Sequence, residues 1–186
     1  MQELNNITVN SLPVKTWNFL RMNESKVEHI EVDKSAVVSM NREDFKGDIE
    51  FYSNVDNSKL ADFSEVTTGI GNSLEDIDAD NELIVIKDNI KADKPLIIKY
   101  KYNDNTKCAN RLFFVSNQNS SLNVIVLFEA ENSTAGVSVH EIKSIVKENA
   151  NLNIYTANLL ADGYVTLHNC GARCADNATF SLVQVI

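Results

Sequence analysis

The chain has 186 residues, 44% of them hydrophobic and 23% charged, which suits one ordinary domain or a domain with a small accessory segment. Plentiful Leu, Ile, Val and Phe exclude general disorder, and 2 Pro with 6 Gly exclude collagen-like or linker-dominated sequence. A formal net charge of -9 argues against binding nucleic acid through a broad phosphate-tracking surface.

At its start, over 1–20, the chain shows neither the basic nor the apolar stretch of a signal peptide. Its longest uninterrupted apolar run is 124–128, so no membrane span is predicted and the expected location is the cytoplasm. Ser11 and Pro13, followed by Val14, Trp17 and Leu20 at a spacing of three, predict a short amphipathic helix. Weak strand signals follow at 36–40 and 49–52, then a mixed stretch over 60–71. Asp76, Asp78 and Asp80 have the spacing of the first ligands of a calcium loop. The sixth position, however, is Asn81 where the turn needs Gly, and the twelfth is Lys87 where a bidentate Glu is required. This run is read as a solvated acidic loop.

Charge divides the chain near this point. Residues 1–82 hold 7 basic and 17 acidic side chains, whereas 83–186 hold 10 and 9. The division predicts an acidic N-terminal region over 1–82, with a short helix and strands, and a nearly neutral packed body over 83–186.

From residue 83 the pattern becomes short apolar or alternating runs at 83–86, 96–102, 112–115, 122–128, 137–146, 152–160, 165–167 and 180–186, each of strand length. Three of them share a phrase: Asn119-Ser-Ser-Leu-Asn-Val-Ile-Val, Asn149-Ala-Asn-Leu-Asn-Ile-Tyr-Thr and Asn177-Ala-Thr-Phe-Ser-Leu-Val-Gln. The heads are spaced by 30 and then by 28, and Leu96 precedes Leu122 by 26. The segments beginning at Val137 and Val165, which end in His140 and His168, also repeat at a spacing of 28. Such a repeat means units that bury their apolar faces only by stacking, which predicts a mainly β fold with a parallel β-helix or β-solenoid core. Asn suits the head because it tolerates left-handed backbone at a corner and its amide can bond from coil to coil. The alternative is an ordinary sandwich in which Asn simply marks turns, in a chain with 24 Asn. The last phrase stops at Ile186, so the solenoid is expected to be incomplete at its C-terminal end and to pair there with another chain.

Several of these phrases carry a family resemblance. Leu12-Pro-Val-Lys-Thr-Trp17 through Asn23, Thr68-Gly-Ile-Gly71, and the run from Asn119 through Ala157-Asn-Leu-Leu-Ala-Asp-Gly to Cys174-Ala-Asp-Asn-Ala resemble the SufB/SufD family of iron–sulfur cluster assembly scaffolds. The resemblance implies a right-handed parallel β-helix core and a non-enzymatic scaffold subunit. It also implies a partner ATPase of the SufC type, docking on a helical C-terminal domain absent here, and an iron–sulfur cluster held transiently by the whole complex. A second SufB/SufD-like chain, or self-association, is the other implied partner. None of the family's functional positions has a counterpart here, so none is carried over.

The residues themselves offer few candidates for chemistry. Three cysteines fit a reducing compartment better than a disulfide framework, and the sequons at Asn6, Asn119, Asn132 and Asn177 then carry no weight. Cys170 and Cys174 are the one thiol pair in local reach and are weak candidates for cluster binding. Yet Cys170 shares a column with Ile142, which predicts a buried thiol, while Cys108 is expected to be exposed. His140 and His168 occupy equivalent columns, are weak candidates for a metal, and are read as an outward-facing ladder lacking a third ligand. A phosphate-binding Gly loop and a nucleophile elbow are both absent. Two other functions remain open. One is a carbohydrate-active β-helix enzyme, which would need paired carboxylates; Glu129, Glu131, Glu141, Glu148, Asp162 and Asp176 are expected to fall in different columns. The other is a β-solenoid binding module.

Overall fold

The structure, a computed structural model, describes residues 2–9, 24–32, 36–69, 74, 77, 79–103, 106–130 and 135–186. The helix expected over 11–20 and the acidic run at Asp76 and Asp78 lie outside the described residues.

Strands dominate, and they build a parallel β-solenoid, the class that the repeat predicts. Seven of them alternate between two sheets: β6 (Leu96–Tyr102), β8 (Ser121–Ala130), β10 (Asn151–Leu159) and β12 (Thr179–Val185) in one, and β7 (Lys107–Ser116), β9 (Ala135–Val146) and β11 (Gly163–Cys174) in the other. Each sheet continues in parallel register, with Leu122 beside Leu152 and Phe180 in the first and Val137 beside Val165 in the second. Because successive strand residues point to opposite faces, every second residue enters the space between the sheets. Leu122, Val124, Val126 and Phe128 from one side meet Leu112, Phe114 and Ile142 from the other, all at 2% exposure or less. Each such side chain contributes about 1.5–3 kcal/mol of burial free energy.

The corners explain the Asn heads. Asn119, Asn149 and Asn177 have φ of 59°, 56° and 56°, and Asn89 joins them at 63°. In this left-handed region an ordinary side chain crowds the following carbonyl, a cost that Asn, Asp and Gly escape most readily. The Asn119 amide donates to Asn89 Oδ1 at 3.1 Å, and the Asn153 amide to Asn123 Oδ1 at 3.0 Å. An Asn149→Ala chain is expected to lose about 1 kcal/mol in urea denaturation, and an Asn149→Gly chain only a few tenths, because Gly tolerates the backbone. Equal losses in both would remove the backbone explanation.

The first coil corrects one spacing. Leu96 pairs with Val124 and not with Leu122. Lys91 is already in register with Ser121, so two extra residues around Asp93 and Lys94 are looped out before the strand begins.

Residues of the acidic region finish and cover this core. β5 (Asp80–Ile86) pairs in parallel with β7, and then β4 (Ile49–Ser53) closes that sheet by pairing antiparallel with β5. β3 (Val37–Met40) closes the other sheet against β6. The 3-10 helix Arg42–Phe45 lies between them, and Arg42 reaches the buried Glu82 carboxylate at 3.0 Å. A hairpin of β1 (Gln2–Val9) and β2 (Ser25–Val32) lies on the outer face of the β7–β9–β11 sheet, where Leu4, Ile7, Ile30 and Val32 pack against Ala109 and Val139. Positive φ at Asn6 (55°) breaks the alternation, so that Ile7 rejoins Leu4 on the apolar side. Further along the same outer face, the 3-10 helix Asn57–Glu65 sets Leu60 and Phe63 on Phe113 and Ile145. Among the described residues no helix is long and apolar enough to cross a membrane.

Candidate functional site

The alternation that aims Ile142 into the core also aims His140, two residues earlier, into it. His140 is 1% exposed, and His168 pairs with it in the register of β9 and β11. The outward-facing ladder is therefore corrected to an inward one. Their rings lie 6.0 Å apart, with Phe128 at 4.9 Å from His140 and 4.4 Å from His168, and Tyr100 at 4.9 Å from His140. Both nitrogens of His140 are without hydrogen-bond partners among the described residues, whereas His168 Nε2 lies 3.3 Å from Ser138 Oγ. Ser138 in turn lies 2.8 Å from the Tyr102 hydroxyl, so a polar thread runs from the buried phenol to His168.

Burial sets the protonation state of this thread. It holds His140 well below the usual imidazole range and His168 down to about 4, while it lifts the Tyr102 phenol well above its ordinary value. Near neutral pH the group is uncharged throughout, a chemistry suited to packing and neutral hydrogen bonding rather than to proton transfer. Among the described residues no third metal-type donor joins the two histidines.

The cysteines are not brought together. Cys170 faces inward beside Ile142, as its column predicts, and burial pushes its thiol up to about 12. Cys174 is exposed four residues along the same strand. At a strand rise of about 3.3 Å per residue, the two lie roughly 13 Å apart, too far to share a metal ion. The glycine between them has a packing role: a Cβ on Gly171 would meet the Thr67 carbonyl oxygen at 2.2 Å. Cys108, expected to be exposed, is fully buried in β7, where its side chain enters the core.

Among the carboxylates, Glu141 is buried on the outer face and bonded to Arg111 at 2.9 Å, and Glu129 lies on the opposite sheet. One column was missed. Glu148 and Asp176 occupy equivalent corner positions, since the Asn149 backbone N–H donates to the Asp176 carbonyl and the Asn119 backbone N–H to the Glu148 carbonyl. Their spacing of 28 carried that signal. Between them and Asp88, Gln118 donates its backbone N–H to Asp88 and its side-chain amide to Glu148.

A pocket of about 310 Å³ opens at the last coil. His168, Thr156, Asn158 and Gln184 supply its polar wall, and Val165, Leu167 and Val185 part of its apolar one. β11 and β12 are the outermost strands of their sheets, and among the described residues nothing pairs with their free edges. Fold and site together define a two-sheet parallel β-solenoid with an aromatic and histidine interior. Comparison of the chain with family models, with curated proteins and with solved structures finds no match.

Proposed function

We propose that the chain is a non-enzymatic scaffold. The observation that supports this reading is the parallel solenoid, in which β8, β10 and β12 stack in register behind Asn-headed corners, the architecture that the family-like phrases imply.

The particular scaffold we propose is a cytoplasmic, SufB/SufD-like subunit for iron–sulfur cluster assembly, working with a SufC-type ATPase and a second scaffold chain. The series of family-like phrases supports it. The separation of Cys170 from Cys174 limits what this chain contributes: the cluster is cargo of the complex, and its thiolate ligands come from elsewhere in it. A carbohydrate-active enzyme is less well supported, because the carboxylate column found among the described residues, Asp88, Glu148 and Asp176, lies in turns rather than on a sheet face.

Coexpression of the full chain with the SufC-type ATPase of the same source tests the proposal. Joint elution through affinity and size-exclusion steps is expected. Failure to associate, with the chain itself folded, sinks the assembly reading.

A further inference from the structure

One side-chain cluster lies outside this site, on the solvent face of the β1–β2 hairpin. Glu3 stands directly opposite Glu31, and Asn5 opposite His29, in the antiparallel register. Like charges placed directly opposite each other destabilise a strand pair unless something positive offsets them.

The hydrogen bonds fix the chemistry of the ring. Asn5 Nδ2 lies 3.3 Å from Glu3 Oε2, and an ionised carboxylate can only accept, so the amide nitrogen must face Glu3. Asn5 Oδ1 therefore faces His29 Nδ1, at 2.8 Å, and Nδ1 must be the donor. That leaves His29 Nε2 aimed at Glu31 Oε1, 3.4 Å away. Two lone pairs at that separation repel, so a cation belongs there: a proton or a metal ion. Lys107 bonds the other oxygen, Oε2, and so orients the Glu31 carboxylate without occupying Oε1. One ligand atom each from Glu3, His29 and Glu31 lies within 4.8 Å of the others.

We propose that Glu3, His29 and Glu31 bind one divalent first-row transition-metal ion through the imidazole Nε2 and two carboxylate oxygens, leaving further coordination positions open to solvent. One nitrogen with two oxygens suits Zn²⁺ or Mn²⁺, and the Asn5 bond to Nδ1–H is the outer contact that metal-binding imidazoles use to hold their tautomer. The site is independent of the scaffold reading, since its three ligands lie on the solvent face of the hairpin and none belongs to the stacked coils.

Calorimetric titration of Zn²⁺ into the full chain carrying Cys174→Ser tests this with the exposed thiol removed. One ion per chain is expected, with affinity falling at least tenfold in both His29→Ala and Glu3→Gln. Mn²⁺ should broaden backbone NMR signals around residues 3, 29 and 31 first, which locates the ion without relying on a variant. Circular dichroism checks that each variant folds. Absence of binding, affinity unchanged in folded His29→Ala, or broadening centred elsewhere overturns the proposal.

Discussion

Replacing Glu141 by Ala is expected to destabilise the chain by about 3–5 kcal/mol, one of the two largest effects we predict. The carboxylate is wholly buried on the outer face of β9, bonded to Arg111 at 2.9 Å and accepting from the Asn169 amide at 3.3 Å. This polar row lies between two apolar patches, the hairpin packed on Ala109 and Val139 and the 3-10 helix packed on Phe113 and Ile145. Removing Glu141 alone leaves the Arg111 guanidinium, 6% exposed, without its partner carboxylate. Replacing both partners with apolar residues of similar size, Arg111→Met with Glu141→Leu, should recover most of the loss, because no buried charge is then left over. Urea denaturation of the three chains measures it. A loss below about 1 kcal/mol in Glu141→Ala would mean that the covering layer is loose enough to admit water.

Acidification should have an effect of comparable size. His168 titrates near 4 in the folded chain against an ordinary 6.5, and His140 is shifted in the same direction. Below pH 6.5 the unfolded chain therefore takes up protons that the folded chain refuses, so stability is complete above 6.5 and is lost as pH falls toward 4. At pH 5 the loss from His168 alone is about 2 kcal/mol, and His140 adds to it. The salt-bridged carboxylates Glu31 and Asp44, held below their ordinary values by Lys107 and Lys94, titrate at lower pH and do not contribute to that first step. The urea midpoint at pH 7 and pH 5 is the measurement. A chain carrying both His140→Leu and His168→Leu should show a much flatter pH dependence over that range; an unchanged slope would place the acid sensitivity elsewhere.

How legible these two sites were differs for a physical reason. The column containing His140 and His168 could be read from their spacing of 28, and the register bears it out. Its direction was equally available, since His140 and Ile142 differ by two and must share a face, but a titratable side chain suggests solvent. Burial of Glu141 and Arg111 could not be read locally. β9 and β7 look half-polar along the chain, and the apolar runs at 137–146 and 112–115 give no sign that their outer faces are covered. That cover comes from 2–9, 24–32 and 57–65, far away in sequence. The same holds for the Glu3, His29 and Glu31 cluster, which exists only because β1 and β2 pair across an intervening stretch of chain.

By itself the sequence determined the solenoid: a repeat of nearly constant length, apolar alternation within each strand, and Asn at each left-handed corner. These are local properties, because strand alternation and the backbone tolerance of Asn act within a few residues. Tertiary structure alone decided which of the two sheets is covered, which charges are buried with their partners and which acidic side chains converge on an imidazole. Those outcomes depend on contacts between segments far apart in the chain, and no short stretch of sequence specifies them.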